Sequence, residues 1–257
     1  MPAANLFHQY YDLLFSNKNY KEEVATVLST ARKYTAGPIA KILEVGCGTG
    51  NHTQEFALTG AEIVAIDTDE EMIKLAQAKG IDHAQGKVTL LHNAVEQLDQ
   101  SGFDLAVALF NVVTYIASTD ELLSFFDGVY KALKPGGLFI FDCWNGIAAI
   151  KDPPFPSSML TRKTDEHTIT CNLVADTDCL NQVTALEYHI EVRNQQDLPI
   201  RAGVFGFNQT LWTPMQVKYC LEKSSLQLLS WVKNFDTESP ASDTDRTLMF
   251  ICKKPSP

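Results

Sequence analysis

Apolar residues along the chain follow two alternating patterns. Short, nearly continuous apolar runs are typical of strands buried on both faces of a parallel sheet, and they occupy residues 42–45, 61–66, 88–91, 103–110 and 138–141. Outside these runs apolar residues recur at helical spacing, which predicts helices over 5–15, 20–34, from 49 or 51 to 60, and 119–133. Alternating strands and helices predict an α/β fold with a doubly wound sheet.

The pattern changes after residue 150. Polar and apolar residues now alternate in the segments 168–174, 183–192 and 203–212, which is typical of antiparallel strands with one face in water. A helix from Thr213-Pro214 to Lys223 and strands over 226–235 and 247–253 follow, separated by a polar loop predicted to be mobile at 237–245. The sequence therefore predicts three segments: an N-terminal helical cap and core (1–150), an inserted antiparallel sheet or lid (151–212), and a C-terminal helix and strand pair that complete the core (213–257).

Charge and cysteine content narrow the classes of function. The 21 Lys+Arg and 31 Asp+Glu give a net charge of −10 without a basic cluster, which disfavours binding to nucleic acid. No segment approaches the ~18 apolar residues of a membrane span. The six cysteines are scattered without a Cys-x-x-Cys pair, which favours reduced thiols over a zinc site. We expect a soluble, cytoplasmic protein that binds no metal.

A glycine-rich loop follows the first predicted strand. The sequence Glu-Val-Gly-Cys-Gly-Thr-Gly places Glu44 before glycines at 46, 48 and 50, where a ligand can lie directly on the backbone. A dinucleotide fingerprint would have its third glycine at the position of Asn51. Glu44 would also repel a pyrophosphate, whereas it suits a ligand with an ammonium group. The alternative is a glycine-rich turn that binds no ligand.

A second acidic residue ends the next predicted strand. Asp67 lies 21 positions after Gly46, and at the carboxyl end of a neighbouring strand it can accept two hydrogen bonds from a ribose diol. The alternative is that Asp67 caps the following helix, as Thr68 or Asp69 also could. Met72 in that helix either faces the ligand or packs in the core.

The glycine loop, and the run of helix, Lys-Pro-Gly-Gly and apolar strand at 119–141, resemble class I S-adenosylmethionine-dependent methyltransferases. The resemblance covers residues 39–145 and 213–253. It implies a Rossmann-like sheet of seven strands in the order 3-2-1-4-5-7-6, with a small antiparallel insertion after strand 5, and S-adenosylmethionine as cofactor. The residues that it places around the cofactor, with Asn93 at the adenine, are Tyr20, Glu44, Gly46, Cys47, Gly48, Asp67, Thr68, Met72, Asn93, Ala94, Val95 and Leu109.

The N-terminal segment that begins at Tyr11 resembles sugar-amine N-methyltransferases more specifically. This likeness implies a small-molecule acceptor whose site includes Tyr11 and Tyr115 as catalytic residues, with Asn111 and Trp144 as acceptor-binding residues. The alternative for Tyr11 and Tyr115 is ordinary packing. Phe15 and Tyr115 replace a tyrosine and a histidine found in that group, so the fold and cofactor carry over from the resemblance, whereas the acceptor does not.

Three other functions stay open from the sequence. An O-methyltransferase for a small hydroxylated acceptor has the same cofactor loop. A non-catalytic binding protein could retain the fold without turnover. A nicotinamide oxidoreductase is disfavoured by Asn51, which stands where the third glycine is needed.

Overall fold

A computed structural model describes residues 3–35, 37–81, 87–154 and 156–256. These residues form two units, a smaller one of residues 1–18 with 149–211 and a larger one of residues 19–148 with 212–257. No helix in the described part of the chain combines the length and apolar character needed to cross a bilayer.

The helices and strands alternate in the predicted way as far as residue 144. The helices are α1 Ala3–Leu14, α2 Tyr20–Tyr34, α3 Asn51–Ala57, α4 Glu70–Ala78, α5 Thr119–Ala132, α6 Gly146–Lys151 and α7 Pro214–Lys223. The strands are β1 Lys41–Val45, β2 Glu62–Asp67, β3 Val88–His92, β4 Phe103–Ala108, β5 Leu133–Trp144, β6 Ser157–Lys163, β7 Thr168–Asp178, β8 Val183–Arg193, β9 Pro199–Thr210, β10 Gln227–Lys233, β11 Asp236–Pro240 and β12 Thr247–Lys253.

The larger unit is built on an eight-stranded sheet in the order β3-β2-β1-β4-β5-β12-β10-β11. Strands β1 to β5 run parallel. Strand β12 pairs antiparallel with β5, and β10 pairs antiparallel with β12, so β10 runs in the same direction as β1 to β5. The first seven positions confirm the predicted order 3-2-1-4-5-7-6. The short edge strand β11 is additional, because Asp236–Pro240 pairs back onto β10 after Phe235, whose φ is 51°. The prediction of an irregular loop from residue 237 was therefore wrong for these residues.

Successive residues of the parallel strands point to opposite faces of this sheet. Leu43 and Val64, neighbours on β1 and β2, belong to the apolar cluster that also contains Phe126. Ile42 and Ile63, one position earlier, belong to the cluster on the other face. Both faces are thus covered, which is why these strands have continuous apolar runs rather than alternation.

Two strand ends differ from the prediction. Strand β4 stops at Ala108 rather than residue 110, because Phe110 and Asn111 have φ values of 72° and 62°, outside the range of a strand. Strand β5 begins at Leu133, before the Lys-Pro-Gly-Gly sequence that was expected to separate helix from strand. Leu133 pairs with Phe103 and Leu138 pairs with Leu105, so the register shifts between these two pairs. The Lys-Pro-Gly-Gly residues lie within β5 at this irregularity.

Helix α7 follows the prediction closely. The Thr213 side chain accepts a hydrogen bond from the backbone N–H of Gln216, and the Gln216 side chain accepts one from the backbone N–H of Thr213. Pro214 stands at the first position of the helix, where a missing N–H costs nothing.

The smaller unit is an antiparallel sheet in the order β6-β7-β8-β9 with α1 packed on it. Phe7 of α1 stacks on Phe205 of β9 at a centroid distance of 4.4 Å, and Arg201 donates to the Tyr10 hydroxyl at 2.6 Å. The three predicted alternating segments are β7, β8 and β9. Strand β6 was missed, because it follows a proline cluster and is an edge strand with mostly exposed residues.

Candidate functional site

The polar residues that the sequence singled out lie at the carboxyl ends of the parallel strands of the larger unit. Glu44 is in β1, Asp67 ends β2, and Asn93 follows β3. A turn follows β4, and Trp144 ends β5. In open α/β sheets, ligands bind in the crevice at this edge.

The glycine loop is tied to the end of β2 through its backbone. The N–H groups of Gly46 and Cys47 donate to the carbonyl of Ile66 at 2.8 and 3.0 Å, and the N–H of Gly48 donates to Asp67 Oδ2 at 2.7 Å. Gly48 has φ of 55°, and no described atom lies within 4 Å of the place where a Cβ would be. The backbone at Gly48 is therefore open to a ligand, as the fit of a cofactor on this loop requires.

Gly46 is required for a different reason. Its φ is 72°, and an added Cβ would lie 2.5 Å from Cγ2 of Val112 in the turn after β4. The loop and that turn are thus in direct contact, and a larger residue at position 46 would separate them.

Glu44 is a carboxyl group removed from water. It is 1% exposed, and the Thr53 hydroxyl of α3 donates to its Oε2 at 2.7 Å. Desolvation raises the pKa of Glu44 to about 8; the hydrogen bond from Thr53 lowers the pKa, and the charge of Asp67 raises it further. A neighbouring ammonium group would favour the ionised form and offset part of the cost of burial.

Asp67 links three neighbouring segments. Besides Gly48, the N–H of Asp69 donates to its carboxylate, at 2.9 Å, and the N–H of Asn93 donates to its carbonyl at 3.0 Å. Burial raises its pKa, and the backbone donors partly offset this effect. The N-cap of α4 is Asp69 rather than Asp67. Each carboxylate oxygen can accept more than one hydrogen bond, so Asp67 can still receive a ribose diol.

The predicted adenine segment follows β3. The side-chain oxygen of Asn93 accepts the N–H of Ala94 at 3.0 Å, and Val95 is buried at the start of a short 3-10 helix. This bond occupies part of the capacity of the Asn93 oxygen, while its amide nitrogen can donate to a ring nitrogen.

Four other predicted cofactor residues have less specific surroundings. Met72 and Leu109 are buried, at 8% and 3% exposure, and Thr68 is exposed. Cys47 is buried, and burial raises the pKa of its thiol, so it stays protonated rather than acting as a nucleophile.

The turn after β4 is strained. Phe110 and Asn111 are consecutive non-glycine residues with positive φ, a conformation that persists only when the surroundings enforce it. Thr114 donates both its N–H and its hydroxyl to the Asn111 carbonyl, at 3.0 and 2.6 Å. The N–H of Asn111 donates to Oδ1 of Asp142 in β5 at 3.2 Å. Within the described residues, the buried Oδ1 of Asn111 itself has no hydrogen-bond partner.

Tyr115 ends this turn and is 53% exposed. Desolvation and the negative charge of Asp67 raise the pKa of its phenol to about 12. The phenol therefore stays protonated at neutral pH, where it can orient a ligand by a hydrogen bond but cannot serve as a base.

Tyr20, at the start of α2, lies beside the buried His52 and the partly buried Glu23, a pair that was not predicted from the sequence. Its ring centroid is 4.8 Å from that of His52, and His52 Nε2 lies 2.7 Å from Oε2 of Glu23. His52 is 5% exposed, so the pair holds the first turn of α2 against the start of α3.

The structure brings most of the predicted residues to one edge of the large sheet. Tyr11 is different: it lies on α1 in the smaller unit, with its ring 4.9 Å from that of Phe15. Three residues that contact the predicted site residues were not predicted from the sequence, namely Thr53, Val112 and Asp142. Asp142 carried the same signal as Glu44 and Asp67, since it is an acidic residue at the carboxyl end of a parallel strand.

Among the described residues, no group of three or more His, Cys, Asp or Glu side chains could hold a metal ion.

Residues 42–137 match a family described as a methyltransferase domain. A putative methyltransferase of Geobacillus is 24% identical over 96% of this chain and 98% of its own length. The Streptomyces venezuelae dTDP-3-amino-3,4,6-trideoxy-alpha-D-glucopyranose N,N-dimethyltransferase is 26% identical over 52% of this chain and 55% of its own. The mouse mitochondrial ubiquinone biosynthesis O-methyltransferase is 41% identical over 39% of this chain and 28% of its own.

Solved structures match the fold along nearly the whole chain. A Clostridium acetobutylicum S-adenosylmethionine-dependent methyltransferase has a TM-score of 0.80 at 19% identity, covering 98% of this chain and 99% of its own. Streptomyces venezuelae DesVI has a TM-score of 0.80 at 19% identity, covering 96% and 98%. The match therefore extends over residues 151–212, which the family resemblance did not cover.

Proposed function

We propose that the chain is a class I S-adenosylmethionine-dependent methyltransferase and that it methylates an amine nitrogen of a small molecule such as an amino sugar. The observation that carries the choice of an amine is Tyr115, whose phenol stays protonated and cannot act as the base that an alcohol acceptor would need.

The residues of the larger unit fit the cofactor. The open backbone at Gly48 leaves space for the ligand on the loop, and the Asp67 carboxylate suits the ribose hydroxyls. The buried Glu44 suits an ammonium group, which S-adenosylmethionine carries and a dinucleotide lacks at that position.

When bound, S-adenosylmethionine supplies an electrophilic methyl carbon: the nitrogen lone pair forms the N–C bond, the S–C bond breaks with its electrons kept by sulfur, and the nitrogen loses a proton. The protein mainly has to position the acceptor and exclude water. Tyr115 can orient the acceptor through its phenol, and the Asn111 oxygen can accept an N–H. The proton can leave to water, because a small amine exists partly in its neutral form near neutral pH.

An alcohol acceptor is the second candidate, favoured by the 41% identity of the core to an O-methyltransferase. An alcohol has a much higher pKa than an ammonium group and needs a general base at the reacting oxygen. Tyr115, with its raised pKa, cannot supply that base. Asn111 could bind an O–H as well as an N–H, so what favours the amine is that Tyr115 cannot act as a base.

A matched pair of acceptors tests this choice. The purified protein is incubated with methyl-labelled S-adenosylmethionine and either a nucleotide-linked 3-amino sugar or the 3-hydroxy sugar that is otherwise identical. We expect label on the amino sugar only, as measured by mass spectrometry. Label on the hydroxy sugar alone would support the O-methyltransferase, and label on neither would contradict the sugar-sized acceptor.

A further inference from the structure

We propose that Asp142 is a positioning residue for methyl transfer, which holds the strained turn Phe110–Tyr115 in the conformation that presents Asn111 and Tyr115 to the acceptor. The inference rests on the proposed amine methylation only for the choice of acceptor in its kinetic test.

The turn needs support from outside itself. Two adjacent residues in it have a backbone conformation that is unfavourable for a residue with a side chain. Phe110 and Asn111 have φ values of 72° and 62°, and neither is glycine. Such conformations persist where surrounding contacts enforce them, and they cluster at ligand-binding sites. The hydrogen bonds from Thr114 act within the turn, so they close it without fixing it to the sheet.

Asp142 supplies a link from the turn to the sheet. It is 1% exposed in the middle of the pairing between β5 and β12, where it stands opposite Met249. Its Oδ1 accepts the N–H of Asn111, the second of the two strained residues, at 3.2 Å. A buried carboxylate on a paired strand is a rigid acceptor, so this bond fixes the turn relative to β5.

The same turn contacts the cofactor loop on its other side. Val112, the next residue, lies so close to Gly46 that a Cβ there would be 2.5 Å from its Cγ2. The turn then ends at the exposed Tyr115. A small shift of the turn would therefore move Asn111 and Tyr115 relative to the glycine loop. Misplacement by about 1 Å can lower a rate about 100-fold.

Two substitutions separate hydrogen bonding from charge. Asp142→Ala removes the acceptor for Asn111, whereas Asp142→Asn keeps a side-chain oxygen in the same place and removes the charge. Asp104→Ala is the matched control, because Asp104 is also a strand carboxylate that accepts backbone N–H groups, from Ala40 and Lys41 at 2.8 Å, but at the opposite end of β4.

The first measurement is hydrogen exchange by mass spectrometry on a peptide that covers residues 109–117. We expect Asp142→Ala to speed exchange of this peptide about tenfold or more, with little change in Asp142→Asn and Asp104→Ala. This readout needs no acceptor, so it still decides the inference if no amine is methylated. Unchanged exchange in Asp142→Ala would overturn it.

The second measurement compares kcat, the KM for the amine and the affinity for S-adenosylhomocysteine. We expect Asp142→Ala to lower kcat about 10–100-fold, because the reacting groups lose their positions. Cofactor affinity in both variants, and kcat in Asp142→Asn, should stay within about threefold of wild type. Equal losses in the two variants would assign the effect to charge and overturn the positioning role.

If Asp142→Ala does not fold, the double variant Asp142→Ala/Asn111→Gly replaces it, because glycine adopts positive φ without strain. We expect the double variant to fold, with the exchange of the turn still faster than in wild type. A double variant that folds no better than Asp142→Ala would show that the turn is not what Asp142 supports.

Discussion

The parallel strands of the large sheet begin at one edge, the amino edge, and end at the other, the carboxyl edge. The carboxylates at these two edges have opposite surroundings. At the amino edge, Asp104 forms an ion pair with Lys134 and accepts two backbone N–H groups. Burial alone raises the pKa of Asp104, but the lysine and the N–H donors outweigh it, and the pKa is lowered. At the carboxyl edge, Glu44 and Asp67 have raised pKa values, because burial outweighs their hydrogen bonds.

The difference is the presence of a protein cation. Among the described residues, the ion pairs of Lys and Arg do not include Glu44 or Asp67. A carboxylate that is paired within the chain contributes to folding, whereas one that is buried without a cation is costly until a ligand supplies the charge. The carboxylate at the amino edge thus contributes to stability, whereas those at the carboxyl edge suit the binding of a cationic ligand.

The largest expected effect is the pH dependence that Glu44 imposes on stability. Since its pKa rises from 4.5 to about 8 on folding, the folded state retains a proton that the unfolded state releases between these values. The free energy of unfolding should therefore fall as pH rises from about 4.5 to 8, by about 2–5 kcal/mol. Glu44→Gln keeps an acceptor for Thr53 and should remove this slope in denaturant titrations without ligand. An unchanged slope would show that Glu44 is ionised when the site is empty.

Asp67→Ala should weaken the binding of S-adenosylhomocysteine by ~1.5–3 kcal/mol, the range for hydrogen bonds to a charged group. Calorimetry at pH 7 measures the change, and NADH should fail to bind either protein. Equal affinity of wild type and variant would remove Asp67 from the ribose site. It would also weaken the distinction between the two edges.

Tyr115→Phe should lower kcat by about 10–100-fold, near or below the lower end of the range for lost acid–base catalysis. The reason is that a phenol with a pKa of about 12 orients the acceptor without taking its proton. Affinity for S-adenosylhomocysteine should stay near wild type, as calorimetry would show. If the dependence of kcat on pH shows a tyrosine-like pKa in the wild type that is absent from Tyr115→Phe, Tyr115 would instead act as a base. Tyr11→Phe, assayed in parallel, tests the other predicted catalytic tyrosine.

The sequence was sufficient wherever local periodicity or a turn motif determined the structure. The parallel strands and the start of α7 at Pro214 were predicted because each depends on neighbouring residues. The order of the first seven positions came instead from the family resemblance. Strands β6 and β11 were missed because an edge strand is defined by its partner, which lies elsewhere in the chain. No residue type announces the positive φ of Phe110, since most such positions are glycine or asparagine.

The site followed the same division. The glycine loop and Asp67 were found because the spacing of a backbone-binding loop is written in consecutive residues. Contacts such as Val112 with Gly46, or Asp142 with Asn111, join segments far apart in the chain and need the fold. Asp142 could have been proposed from its place at the end of a strand, but not its partner.

A weaker effect is predicted for the loss of Asp104 at the amino edge. Asp104→Ala removes an ion pair with a half-exposed lysine and two N–H partners, one of them at the exposed Ala40, so water can replace part of what is lost. We expect the free energy of unfolding to fall by about 1 kcal/mol at pH 7. Because the pKa of Asp104 is lowered on folding, its contribution exists above the unfolded value of 3.8 and disappears as pH falls through the folded value. The variant and wild type should therefore converge in denaturant titrations as pH falls below 3.8, while kcat and cofactor affinity stay unchanged at pH 7. A loss of kcat in a fully folded Asp104→Ala protein would mean that the amino edge also takes part in catalysis, and the separation of the two edges would fail.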